Sequence, residues 1–218
     1  GNNLVVEGNL TVDDNNAMCA LDLGGLTQVK GYVLISDNFG NCTSPSVNLS
    51  SLNSVGDNLP SASADYLTIE GNNYMPALSL TSLTAVNGTG AGNNRSIEII
   101  SNTYMMTSLS MPALVTVPGE IYIQNNTNLA SISAPLLPTV GEDLRIVTNL
   151  ALTSIDFSAL TGVTGAFEIN NNDELPDLNG FGALVTIGGA ATITSNGDAF
   201  PGFGSDLTSL DGLASLTT

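Results

Sequence analysis

Short apolar pairs separated by one residue recur along this chain, and each is followed by an asparagine three positions after its second member. The series is Leu10, Val12, Asn15; Val33, Ile35, Asn38; Leu67, Ile69, Asn72; Ile97, Ile99, Asn102; Ile121, Ile123, Asn126; Leu144, Ile146, Asn149; Phe167, Ile169, Asn172; and Ala191, Ile193, Asn196. The starts lie 23, 34, 30, 24, 23, 23 and 24 residues apart, so two long gaps interrupt a regular period. The full unit reads Gly-x-Leu-x-Ile-x-x-Asn-x-x-Leu-x-Ser-Leu-x-x-Pro-x-Leu-x-x-Val-x-Gly, cleanest from Gly119 to Gly141. A period of two turns both apolar residues of a pair the same way, as in a strand. Each unit offers three such stretches divided by Asn, Pro or Gly corners. No unit can bury that much apolar surface alone, so the pattern predicts stacked coils about 4.8 Å apart around one apolar column. A helix in the coil is disfavoured, because the intervening stretches are short and broken by Pro and Gly.

The expected fold is therefore all-β: a parallel β-solenoid, drawn as a right-handed β-helix of about eight coils with a 23–24-residue period, forming one domain over residues 1–218. At this rise the rod would be roughly 40 Å long. Insertions fall at 57–66, 89–96 and 197–206, and rigid scaffolds often carry binding on such loops. The eight asparagines are expected to form a structural ladder, since an amide both donates and accepts at a corner where backbone groups turn inward.

The repeated Val117-x-Gly119-x-Ile121-x-Ile123-x-x-Asn126 segment and its copies, with Leu207-Thr-Ser-Leu210-Asp-Gly-Leu213, resemble leucine-rich-repeat-like solenoids. The likeness is greatest to receptor L domains and to Leu-rich bacterial or fungal cell-surface proteins, and it covers nearly the whole chain. It departs from the ordinary leucine-rich repeat in the spacing before the strand, which is one longer and filled by Gly. The resemblance implies secreted or surface-anchored proteins that bind, adhere or build walls. It implies no shared catalytic residue.

Composition narrows the partners. Twenty acidic residues face three basic ones, Lys30, Arg95 and Arg145, with no His and a net charge of −17. Such a chain disfavours nucleic acid and anionic membrane surfaces as partners, because both need clustered Lys and Arg. At 42% hydrophobic it still has the means to build a core, and no run of 18 apolar residues predicts membrane insertion. Cys19 and Cys42 occupy the same slot of adjacent coils and are expected to form a disulfide that staples them. Asn9, Asn41, Asn48, Asn87, Asn94 and Asn125 begin Asn-x-Ser/Thr acceptor sequences, candidates for glycosylation.

The outward residues between the apolar pairs form a stripe whose middle is Glu98, Tyr122, Arg145 and Glu168. It reads either as a surface for a sugar or peptide or as a cross-strand ladder in which Arg145 pairs with Glu168 and covers Tyr122. No cofactor and no metal site is expected. Calcium is the one ion the carboxylate pairs Asp13-Asp14, Glu142-Asp143 and Asp173-Glu174 could attract, and none matches an established calcium loop. Without His, and without a recurring carboxylate motif, catalysis is not expected. A single Thr column of shifting register (Thr27, Thr84, Thr116, Thr139, Thr161, Thr186) fits β-propensity on a solvent face better than an ice-binding array.

Residues 1–9 fit the strand template, although Val6-Glu7-Gly8 also fits a unit's end, while the template at Thr218 expects Val-x-Gly next. One coil stops where another could begin, consistent either with a segment of a longer repeat protein or with subunits stacking head to tail. The functional expectation is a non-catalytic extracellular structural or adhesive protein that partners itself. The alternative is a cell-surface domain that recognises a glycan or protein.

Overall fold

The computed structural model describes residues 3–40, 42, 44–57, 66–88, 94–104, 106–197 and 207–217. The chain winds as a parallel β-solenoid of about seven turns, about 24 residues per turn. The apolar pairs form one eight-stranded main sheet: Leu10–Asp13, Val33–Ser36, Leu67–Glu70, Arg95–Ile100, Glu120–Gln124, Leu144–Val147, Phe167–Asn170 and Ala191–Thr194. Each strand pairs in parallel with the corresponding strand one coil away, in register, so Ile97, Ile121 and Leu144 stack directly. The second side of the coil carries Leu78–Ser79, Ser108–Ser110, Ser131–Ser133 and Ser154–Asp156, with Ala20–Asp22 and Ser46–Asn48 as a separate pair nearer the N-terminus. The third side carries Leu4–Val6, Leu26–Val29, Ser54–Val55 and Ala85–Val86, then Thr139–Val140, Gly162–Val163 and Thr186–Ile187. The Ala85–Thr116 bridge continues this side toward the later coils. Helical structure among the described residues is limited to two 3-10 turns, Asn179–Phe181 and Asp211–Leu213.

Alternation decides what is inside. In Glu120–Gln124 the residues Ile121 and Ile123 are fully buried while Tyr122 and Gln124 are partly exposed. Leu129, Ile132, Leu137 and Val140 of the same coil close the column from the other sides. In later coils Phe157 stacks on Phe181, and Phe167 meets Phe181 edge-on at 5.0 Å. Burial of such a column supplies the main stabilisation, at about 25 cal/mol per Å² of apolar surface removed from water. The Gly that punctuates the repeat is a close-approach residue: a Cβ on Gly141 would lie 2.1 Å from the Pro118 carbonyl oxygen of the coil before it.

The eight asparagines stand in one column just past the main-sheet strands. The backbone N–H of Asn126 donates to Asn149 Oδ1 at 3.1 Å, and its Nδ2 donates to the same oxygen, to Ile99 O of the preceding coil and to Gln124 O. The same backbone-to-amide bond links Asn15 to Asn38, Asn38 to Asn72, and so on to Asn172 and Asn196. From Asn38 to Asn172 these side chains are almost wholly inaccessible to solvent. A buried amide is tolerated because it bonds on both sides.

The residue before each of these asparagines takes a left-handed backbone: Asp14, Asp37, Gly71, Ser101, Asn125, Thr148, Asn171 and Ser195 all have φ between 50° and 64°. This second column makes the corner, and Asp, Asn and Gly accept that conformation readily. Thr148 is the β-branched exception.

Cys19 and Cys42 are disulfide-bonded, with Cα atoms 5.4 Å apart. The bridge joins the first two coils at one slot, as their spacing predicts.

Candidate functional site

The only mixed-charge cluster of this acidic chain sits, among the described residues, on the outer face of the main sheet in its central coils. Parallel register places Glu98, Tyr122, Arg145 and Glu168 side by side on successive strands. Three residues that the stripe did not include, Arg95, Glu120 and Asp143, complete the cluster. Arg95, at the irregular start of its strand, pairs in register with Glu120. Its Nε donates to Glu120 Oε2 at 3.0 Å, its Nη1 bonds Glu98 Oε1, and its guanidinium lies 3.9 Å from the centre of the Tyr122 ring. Arg95, not Arg145, therefore covers Tyr122, because the register shift before Ile97 swings Arg95 toward the next coil. Arg145 instead bonds Asp143 Oδ2 at 2.6 Å and lies 3.6 Å from Glu168 Oε2.

Glu120 is the buried member, with its side chain 6% exposed. Burial raises its carboxyl above the usual carboxylate range, an effect that Arg95 and Arg145 oppose and Asp143 reinforces. Glu120 Oε1 and Arg145 Nε face each other at 3.5 Å, both buried and neither hydrogen-bonded. Burial works to lower the Arg95 pKa, but the carboxylates of Glu98 and Glu120 outweigh it and raise it. Two guanidiniums and four carboxylates thus spend most of their polar atoms on one another. What sequence reasoning lacked here was a ranking: in a chain with so few cations, each one is drawn to the nearest carboxylates, which marks Arg95 as strongly as Arg145.

Aromatic rings also pair from coil to coil. Tyr32 and Tyr66 stack at 4.9 Å and 3°, and Tyr74 stacks on Tyr104 at 5.3 Å. Tyr104 is 61% exposed.

No family model matches the chain, and no solved structure matches it significantly. The solenoid is established by its own geometry, and the likeness to leucine-rich repeats or receptor L domains gains no family assignment from comparison.

Of the glycan acceptor sequences, Asn9, Asn48 and Asn94 are exposed. Asn87 and Asn125 are half-buried, their amides donating to Gly56 O and Ser101 Oγ. Asn41 lies outside the described residues, as do 58–65, 89–93 and 198–206, which make up most of the three insertions. Of the carboxylate pairs, Asp143 bonds Arg145 and the Ala166 backbone N–H, and Asp13 accepts from Ser36 Oγ. Among the described residues no group of three or more His, Cys, Asp or Glu side chains could hold a metal ion. No helix among them is long and apolar enough to cross a membrane. Thr27, Thr84 and Thr161 turn their hydroxyls onto carbonyls of the preceding coil.

Proposed function

We propose that this chain is a non-catalytic, extracellular structural or adhesive solenoid, a scaffold of the kind that leucine-rich-repeat-like cell-surface proteins build. One observation carries the reading: the polar residue that recurs in every coil, the ladder asparagine, is consumed inside the rod, bonding coil to coil from Asn15 to Asn196. Repetition of sequence here serves length and rigidity. The mixed-charge patch of the central coils pairs largely within itself, which suits a ladder that holds the sheet face rather than a site awaiting a substrate. An extracellular setting is supported by the Cys19–Cys42 disulfide, since such bonds persist in oxidising compartments. The low Lys content and net charge of −17 suit a surface that resists aggregation.

A second reading, a surface domain that recognises a glycan or a protein, has its observation in Tyr104, an exposed ring backed by Tyr74. Antibodies raised against the chain are expected to label intact, unpermeabilised source cells or their secreted matrix. Labelling that needs permeabilisation overturns the extracellular reading. A glycan array run in parallel is expected to be blank; binding that Tyr104→Ala abolishes would move the assignment to the second reading.

A further inference from the structure

Four of the five tyrosines stand in two coil-to-coil pairs, and both pairs fall where the repeat is longest. Tyr32 and Tyr66 each come one residue before a main-sheet strand, and Val33 pairs in register with Leu67. The sheet's own bonds hold their backbones: the Leu10 N–H donates to Tyr32 O at 2.9 Å and the Val33 N–H to Tyr66 O at 2.8 Å. The two rings stack within 3° of parallel, centroids 4.9 Å apart. Tyr74 and Tyr104 each come two residues after a ladder asparagine. The Tyr104 N–H donates to Asn73 O at 2.8 Å, and the rings stack at 5.3 Å and 22°. The pairs join residues 34 and 30 apart, across the two gaps that the insertions at 57–66 and 89–96 open in a 23–24-residue period. Tyr122, the fifth tyrosine, has the Arg95 guanidinium over its ring instead.

The chemistry such pairs offer is oxidative. The chain has no Trp, and both cysteines are already joined to each other. Met75, Met106 and Met111 are fully buried. The phenols are therefore the side chains from which a one-electron oxidant draws most readily. Tyr32, Tyr66 and Tyr74 are half-buried, and the Tyr104 ring is largely exposed. Burial, then Tyr32, Glu98 and Glu70, raise the Tyr66 phenol above its ordinary pKa. Its proton must then leave together with an electron, and Glu98 and Glu70 are nearby carboxylates able to accept it. Two reactants held in contact also react as one molecule, which removes the entropic cost of bringing them together.

We propose that Tyr32–Tyr66 and Tyr74–Tyr104 are covalent cross-linking sites, converted to dityrosine by a peroxide-driven one-electron oxidant of the haem peroxidase class. This rests on the scaffold reading above and on the oxidising surroundings that reading entails. Each phenol gives up one electron and one proton. The two phenoxyl radicals join through a carbon–carbon bond between ring positions ortho to the hydroxyls. The hydrogens on those two carbons then move to the oxygens and restore both phenols. One hydrogen peroxide takes up the two electrons and two protons and leaves as two waters. With the Cys19–Cys42 disulfide, the two links tie the coils of Leu10–Asp13, Val33–Ser36, Leu67–Glu70 and Arg95–Ile100 in unbroken succession. They act on the longest repeats, where a cross-link removes the most freedom from the unfolded chain.

Peptide mass mapping tests this, on the chain isolated from its source and on purified 218-residue chain treated, at high dilution, with hydrogen peroxide and a haem peroxidase. Both are expected to lose two hydrogens per link, to show dityrosine fluorescence, and to yield peptides joined 32 to 66 and 74 to 104, with Tyr122 unlinked. Tyr66→Phe is expected to remove the first link and Tyr104→Phe the second. Each keeps its ring in the stack, and an unchanged circular dichroism spectrum verifies folding. Dityrosine missing from either preparation overturns the proposal. So do links that join only different copies, or a yield undiminished in the Tyr66→Phe, Tyr104→Phe double variant. Those results leave surface labelling, and the scaffold reading with it, standing. Failure of surface labelling would defeat the scaffold reading and remove the setting that the cross-links need.

Discussion

At the residue scale the ladder asparagine is the costliest position to lose. Asn126→Ala strips the buried Asn102 N–H of its acceptor and removes the amide's bonds to Ile99 O and Gln124 O. An orphaned buried donor costs about 1–3 kcal/mol and the lost bonds add to that, so a destabilisation of roughly 2–4 kcal/mol is expected. Asn15→Ala, at an exposed rung, is expected to cost about 0.5 kcal/mol. Urea titration of the two variants checks the contrast, and equal losses would mean that burial does not set the cost. The neighbouring left-handed column was equally legible in principle. Asp14, Asp37, Gly71, Asn125 and Asn171, before five of the ladder asparagines, are residue types that tolerate positive φ. Thr148, at φ 56°, could not be read that way, because its strain is imposed by the coils above and below it.

At the scale of the element, a strand here means little without the coil beside it. Leu78–Ser79, Thr139–Val140 and Gly162–Val163 are two residues long and hold because parallel neighbours complete them. The sequence marked the main-sheet strands clearly, since alternation with Asn at a fixed offset is a strong signal. It marked the second and third sides only as apolar stretches between corners. The first two coils differ in cover: Leu10 and Val12 are only half-buried, whereas Val33 and Ile35, like Ile121 and Ile123, are fully buried. The disulfide holds those coils across 23 residues of chain. Its reduction is expected to cost about 3 kcal/mol and to show as lost amide-exchange protection around Val33–Ser36, while Ile121–Ile123 stays protected. Uniform loss along the rod would show instead that the coils unfold as one cooperative unit.

At the scale of the whole molecule, charge and pH govern stability. Burial raises the Glu70 carboxyl, with Glu98, Asp37 and Asp13 adding to it, and burial likewise raises Glu120. The folded chain therefore holds these protons more tightly than the unfolded one. Their contribution is fully present below the ordinary Glu value of about 4.3 and is lost as pH rises through the raised folded values. The melting temperature is accordingly expected to rise as pH falls from about 7.5 to about 5, and Glu70→Gln to flatten that slope. A melting temperature that falls over the same range would contradict this assignment.

The solenoid, its period, the stacked asparagines and the Cys19–Cys42 pairing were all determined by the sequence, because each depends on a residue recurring at one offset, and stacking turns sequence period into spatial neighbourhood. Tertiary structure alone decided which groups of different offset meet. The irregular start of Arg95–Ile100 carries Arg95 onto Tyr122 and Glu120, a contact no periodic reading contains.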